Sequence, residues 1–251
     1  MTAEMQAEFD TVAAWTADVA VDLGPDHYLP AGCRGSGSPA SLRWLVTELA
    51  LSAAEVMLDC GAGVGGPAAF AAAEAGVTPV LSEPEQGACR AATRLFGLPT
   101  VQAASDLPFA DAAFDAAWSL GVLCTVSDQP HFLRELRRVL KPDGRLGLLV
   151  FVAQRRLSDA PVGNTFPTDA GLRDLLAGAG FAVRTSASLG DFASTPEDWQ
   201  SRADAVEAEL ARRHHGDEAW VVAQRQSQLI GRLLGDGELA GVLLVADAAG
   251  P

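Results

Sequence analysis

The stretch DCGAGVGGPAAF, Asp59 to Phe70, decides how this chain is read. It follows the apolar residues Val56–Leu58 and runs into an alanine-rich segment, the form of a strand end, a glycine turn and a helix start. Gly61, Gly63 and Gly66 satisfy G-x-G-x-x-G, and Asp59 with Gly61, Gly63 and Gly65 equally satisfies D-x-G-x-G-x-G. Glycine lets the backbone turn sharply and lets a ligand approach with no Cβ in the way. The helix that follows offers unpaired N–H groups. By itself such a loop suits NAD, FAD or S-adenosylmethionine.

Outward from the loop the pattern is a regular βα alternation. VMLDC is a strand, Pro67 to Ala75 a helix closed by Gly76, TPVLS the second strand, and Glu85 to Phe96 a helix ended by Gly97. TVQAA and FDAAWSL are the third and fourth strands, Gln129 to Leu140 the next helix, KPDG a turn in which Gly144 tolerates positive φ, and RLGLLVFVA the fifth strand. After a polar loop, Thr168 caps a helix to Ala179, FAVRTSASL is a sixth strand, residues 196–234 are helical, and GELAGVLLVADA is the last strand. Short apolar strands separated by helices predict an α/β, doubly wound, mostly parallel sheet covered on both faces. Before it, Met5, Phe9, Val12, Trp15 and Val19 predict an amphipathic helix over 3–20, GPDHYLPAGCRGSGSPA a loop, and Ser38 with Pro39 the start of a second helix. The expected division is a helical segment at 1–52, a cofactor-binding βα core at 53–153, and the rest of the core at 154–251 with a helical cap at about 196–234. Both helical additions are expected to fold over the cofactor edge.

Composition narrows the function. The 251 residues carry 32 acidic and 18 basic side chains, a net charge of −14 that repels phosphate backbones and excludes nucleic acid as a partner. Lys141 is the only lysine and falls in a turn, which leaves Schiff-base chemistry without a good candidate. Cys33, Cys60, Cys89 and Cys124 form no C-x-x-C pair, so they read as reduced thiols, and no His/Cys/Asp/Glu spacing suggests a metal. No apolar run reaches membrane length and the N-terminus lacks a signal-peptide pattern, so the expected location is the cytoplasm.

Glu83, ending the second strand, can accept both hydroxyls of a ribose. Asp59 sits badly beside a pyrophosphate but well beside an ammonium or sulfonium. The deciding block is SDLPFADAAFDAAWSLGVLCTVSDQPHFLRELRRVLKPDGRLGLLV. With DCGAGVG, Glu83, LPF at Leu107 to Phe109, FD at Phe114 and Asp115, and LKPDGRL at Leu140 to Leu146, the chain resembles class I S-adenosylmethionine-dependent methyltransferases. The likeness is to the small-molecule group that includes quinone C-methyltransferases, and it runs over about residues 55–150, extended by DLLAGAGFAV.

The resemblance implies a seven-stranded sheet with its last strand antiparallel and S-adenosyl-L-methionine as cofactor. It implies that Asp59, Gly61, Gly63 and Gly65 face the methionine part, and that Glu83, with Pro84 beside it, holds the ribose. The carbonyls of Ser119 and Leu120 would lie under the methionine amino group, and Ser105, Asp106 and Leu107 would border adenine. The family's usual Asp before L-P-F is Ala103 here, which leaves Asp106 or a backbone carbonyl to meet the adenine amino group.

Methyl transfer is an in-line displacement that needs alignment and, for oxygen and some carbon nucleophiles, a base. Where relatives carry His or Glu after the fourth strand, this chain has Cys124 and Thr125. Candidates for a direct role are therefore His27 and Tyr28, the only tyrosine, with His131, His214 and His215 reading as capping or solvated groups. Trp15, Trp44, Phe192, Trp199 and Trp220 lie in or beside the helical additions and would suit an apolar or aromatic small-molecule substrate. The expected function is methyl transfer to an O, N or C atom of a metabolite. The alternative is a methyltransferase-like fold that binds the same cofactor or its product but carries out another reaction or a binding role.

Overall fold

The computed structural model describes residues 3–249. In chain order the helices are α1 (Ala3–Leu23), α2 (Tyr28–Gly32), α3 (Pro39–Glu48), α4 (Gly66–Ala75), α5 (Gln86–Phe96), α6 (Gln129–Val139), α7 (Asp169–Gly178), α8 (Glu197–His214) and α9 (Glu218–Gly235). The strands are β1 (Val56–Cys60), β2 (Thr78–Glu83), β3 (Thr100–Gln102), β4 (Phe114–Leu120), β5 (Leu140–Ala153), β6 (Phe181–Ser188) and β7 (Leu239–Ala248). They form one sheet in the order β3-β2-β1-β4-β5-β7-β6. Strands β1 to β5 pair in parallel, and β7 lies antiparallel between β5 and β6. The expected doubly wound, mostly parallel seven-stranded sheet is therefore present. Its order reverses between β1 and β4, the switch point at which open α/β sheets bind ligands beyond the strand ends.

Local chemistry sets the helix starts. Ser38 and Ser41 close a reciprocal capping box across Pro39, Asp128 accepts from the His131 amide at 2.9 Å, and Thr168 accepts from Gly171 at 3.1 Å. The sheet then buries both faces. Leu58, Ala117, Leu146 and Leu148 pack with Leu133, Leu136, Leu172 and Leu176 of α6 and α7. Met57, Trp118 and Leu149 pack on the other face with Leu42, Leu45 and Phe70 of α3 and α4. Each fully buried leucine removes enough apolar surface to contribute about 1.5–3 kcal/mol.

Two expectations change. The stretch at 24–37 is not all loop: Pro25–His27 is a 3₁₀ turn and α2 follows. Pro25 presets φ for that turn, and Pro30, Ala31 and Gly32 are buried, so packing overrides the turn-rich composition. KPDG is an irregularity within β5, because Leu140 already pairs with Phe114 before the ladder resumes at Ala116 and Arg145. Gly144 is not left-handed there. Residues 196–234 are helical as expected, in two helices separated near Gly216.

Helix α1 crosses α5, α8 and α9. Asp18 pairs with Arg94, Asp22 with Arg213 at 2.8 Å, and the Trp15 ring stacks on His214 at 3.7 Å. The Met5 side chain, placed by periodicity on the same face as Phe9, lies outside the described side chains. No helix among the described residues is long and apolar enough to cross a membrane.

Candidate active site

The glycine turn begins where β1 ends. The amides of Gly61 and Ala62 both donate to the Ser82 carbonyl, at 2.8 and 3.2 Å, and Gly65 closes the turn on the Ala62 carbonyl at 2.9 Å. Gly63 has φ +54° and nothing within 4 Å of where a Cβ would stand, so the loop presents bare backbone to open space. At Gly66 the reason for glycine is different. A Cβ there would overlap the Gly32 carbonyl, because the end of α2 rests directly on the start of α4.

Glu83 bridges this turn and the next loop. It is 7 % exposed and accepts from the Gly63 amide at 2.8 Å and the Glu85 amide at 3.1 Å, one on each carboxylate oxygen. Each oxygen keeps a further lone pair for a ligand hydroxyl. Burial raises its pKa against those two hydrogen bonds. Asp10 of α1 accepts from the Gly87 amide, which caps α5 beside this group and adds negative charge to the corner.

Asp59 is more extreme. At 2 % exposure, burial pushes its pKa up to about 7. The Trp118 indole, its register partner on β4, and the Ala68 amide of α4 face it and oppose that rise. Asp59 Oδ2 and Trp118 Nε1 are nevertheless both buried without a hydrogen-bond partner. A carboxylate oxygen short of a donor, beneath an open glycine turn and near a second buried carboxylate, suits a cationic ligand that also carries hydroxyls. The same corner is hostile to a pyrophosphate. The residues present therefore fit S-adenosylmethionine and disfavour a dinucleotide.

Comparison with known proteins agrees. The family described as “Methyltransferase domain” matches residues 58–148. Residues 58–148 form a methyltransferase domain of class I, the S-adenosylmethionine-dependent family. Among curated relatives, methyltransferase GfsG of Streptomyces halstedii is 34 % identical over 123 residues, 46 % of this chain and 44 % of that protein. Demethylmenaquinone methyltransferase of Tropheryma whipplei (strain Twist) is 37 % identical over 164 residues, 62 % of each chain. The match to GfsG thus spans under half of that relative's length. Among solved structures, the [4+2]-cyclase SpnF superposes with a TM-score of 0.67 at 23 % identity, over 84 % of this chain and 80 % of that one, a likeness of fold.

Around this methyltransferase domain the remaining expected residues fall in several places. Ser119 is buried and donates to the Cys60 carbonyl at 2.8 Å, tying β4 to β1, and Leu120 ends β4 just before Gly121. The Gly35 carbonyl approaches that end, 3.5 Å from where a Gly121 Cβ would stand, so the N-terminal segment meets the methyltransferase domain at β4 as well as at Gly66. The Pro84 carbonyl accepts from Gln102 at 3.0 Å. Ser105 is half-buried and Leu107 buried. Asp106 points outward, its side chain 94 % exposed and paired with His131 Nε2 at 2.7 Å. Tyr28 stacks edge-on against Phe96, and both pack with Val64 of the glycine turn on one apolar cluster. His27 keeps Nδ1 buried without a partner.

The aromatic residues do not converge. Trp44 meets Phe192 and Trp199 meets Phe70 beside α3 and α4, whereas Trp15 and Trp220 belong to the cluster under α1, α8 and α9. His214, between Trp15 and Asp217, is a packing residue. Three contributors escaped sequence reasoning: Asp10, Trp118 and the pair Glu135–Arg138. The first two have no local signal, since only strand register and helix docking bring them in. The last had one, the spacing of charges on α6, but not its target.

Proposed function

We propose that this chain transfers the methyl group of S-adenosylmethionine to an O, N or C atom of a small-molecule acceptor, apolar or aromatic in character. The observation that carries this reading is the buried, incompletely bonded Asp59 carboxylate beneath the open Gly63 turn, with Glu83 beside it. In the proposal the turn of Gly61, Gly63 and Gly65 faces the methionine part, with Gly63 open to it, and Asp59 balances its positive charge. Glu83, next to Pro84, receives the ribose hydroxyls with its remaining lone pairs. The carbonyls of Ser119 and Leu120 face the methionine ammonium, and Ser105, Asp106 and Leu107 border the base. Residues 1–52 cover the site.

When bound, the sulfonium would supply the methyl group and take back the bonding electron pair as the S–CH₃ bond breaks. The chain's work is alignment and exclusion of water, which can supply most of the rate for such a displacement. His27, with a buried nitrogen unspent, and Tyr28, beside the glycine turn, are the proposed groups for proton handling.

A second reading, cofactor binding without methyl transfer, is favoured by the end of β4. Cys124 donates its Sγ hydrogen to the Phe151 carbonyl at 3.3 Å, and burial pushes its pKa up to about 11, so it stays a thiol and supplies no base there. Calorimetric titration with S-adenosylmethionine, S-adenosylhomocysteine and NADH tests the cofactor. Binding of the two sulfur compounds alone is expected; binding of NADH, or of none, overturns the proposal. Methyl transfer to any of a panel of phenols, amines and hydroquinones then decides between the two readings.

A further inference from the structure

His131, Glu135 and Arg138 stand four and three residues apart on α6, so their side chains share one face. All three reach the chain that leaves β3. His131 holds Asp106. The Leu107 amide donates to Glu135 Oε2 at 3.1 Å, and its carbonyl accepts from Arg138 Nη2 at 2.8 Å. Arg138 Nη1 donates to the Phe109 carbonyl and to Asp111 Oδ1, each at 2.8 Å. Its Nε and Nη2 close a fork on Glu135, again at 2.8 Å. Every N–H of the guanidinium is thus engaged, and the Arg138 fork holds the Glu135 pKa down at about 2. A planar fork bonded on all sides fixes geometry in a way a single surface ion pair does not.

We propose that this stripe, centred on Arg138, is a positioning element that sets how residues 103–106 meet the base of the bound nucleoside, which is read through backbone groups. The proposal rests on the S-adenosylmethionine reading above. Strand order supplies its geometry. Strands β3, β2 and β1 lie side by side. A ribose at Glu83 on β2, with its amino-acid tail over the turn after β1, directs the base to the end of β3. That end adjoins Glu83 directly, since the Ala103 amide donates to the Glu83 carbonyl at 3.1 Å. Ala103 offers no polar side chain and Asp106 is held outward by His131, so the backbone of 103–106 and the Ser105 side chain are what meet the base. β3 ends at Gln102, so no ladder steadies that backbone beyond Ala103. The charged face of α6 instead anchors the far end of that stretch, at Asp106 and Leu107.

The test is discrimination between bases. The wild-type chain is titrated calorimetrically with S-adenosylhomocysteine and with S-inosylhomocysteine, which carries a carbonyl in place of the exocyclic amine. A preference of about ten-fold or more for the adenine compound is expected, the worth of one well-placed hydrogen bond. In Arg138→Lys, which keeps the charge but loses the fork, and in Glu135→Gln, that preference should shrink to about three-fold or less. Arg134→Gln, on the same helix but exposed, should leave it unchanged. Circular dichroism establishes which variants are folded, and the half-buried His131→Ala, expected to reduce the preference more modestly, serves if the others are not. Undiminished preference in the folded variants overturns the positioning role, as does equal binding of the two compounds by the wild type. If the wild type binds neither, the cofactor reading fails and this proposal falls with it.

Discussion

Two carboxylates on opposite sides of the candidate site show how differently the molecule uses one chemical group. Asp59, on β1, is buried and incompletely bonded, and its pKa rises to about 7. Glu135, on α6, lies against a guanidinium near the surface, and its pKa falls to about 2. The first side is built from backbone amides and buried acids around a turn in which Gly63 stands open. The second is a short strand whose continuation is fastened by side chains from a helix. Burial without a partner leaves a group poised to respond to a ligand; a saturated ion pair leaves it structurally committed. The β1–β2 side is therefore where binding should respond to pH, and the α6 side where geometry should respond to mutation.

Perturbing the seat beneath that contrast should have the largest effect. Gly66→Ala places a methyl group against the Gly32 carbonyl, and backbone cannot yield as a side chain can. A loss of about 1–3 kcal/mol in denaturant unfolding is expected. Gly63→Ala, with open space around it, should cost about 1 kcal/mol through its positive φ alone. Equal losses would mean that α2 does not rest on α4 as described.

Glu83→Ala should weaken S-adenosylhomocysteine binding by about ten- to a hundred-fold, from hydrogen bonds lost to the ribose and to Gly63. Unaltered affinity would displace the ribose from this strand end.

The pH dependence follows from the direction of the shifts. Folded Asp59 keeps its proton up to about 7, whereas an unfolded chain releases it near 3.8. Its contribution to stability therefore falls as pH rises between those values and is level above them. A bound cation favours the ionised form, so affinity for S-adenosylmethionine should climb from about pH 6 to about pH 8 and release a proton on binding. Glu83, also shifted upward, works in the same direction. Calorimetry in two buffers of different ionisation enthalpy measures that proton. Its persistence in Asp59→Asn would assign it elsewhere. On the α6 side the sign is opposite: whatever Glu135 contributes is present above its ordinary pKa of 4.5 and is lost only as pH falls towards about 2.

The smallest effect belongs to Asp106→Ala. With its side chain 94 % exposed and bonded only to His131 among the described residues, it should change stability by under about 1 kcal/mol and affinity less than Glu83→Ala does. A loss at Asp106 as large as at Glu83 would show that an exposed acid, and not the backbone, meets the base.

Much of this was legible in the linear chain. The strands of the βα core and most helix ends carry their own signals: apolar runs, Ser38, Thr168, Gly76 and Gly97. The glycine turn and Glu83 were legible because their spacing is local. The α2 helix was not, since its proline- and glycine-rich residues are helical only where Gly32 finds Gly66. Nor was the dispersal of the tryptophans, which periodicity marks as apolar without saying which layer receives them.

The chain by itself determined the alternation of strands and helices, the turn that lets backbone face a ligand, and the acid at the end of β2. These depend on residues within a few positions of one another, where torsional preference and hydrogen-bonding capacity act directly. The tertiary structure decided which side chains share an environment: Trp118 opposite Asp59, Asp10 at the start of α5, Arg138 at the loop after β3. Sheet register and helix packing join residues far apart in sequence, and it is burial at those junctions that shifts a carboxylate or spends a guanidinium.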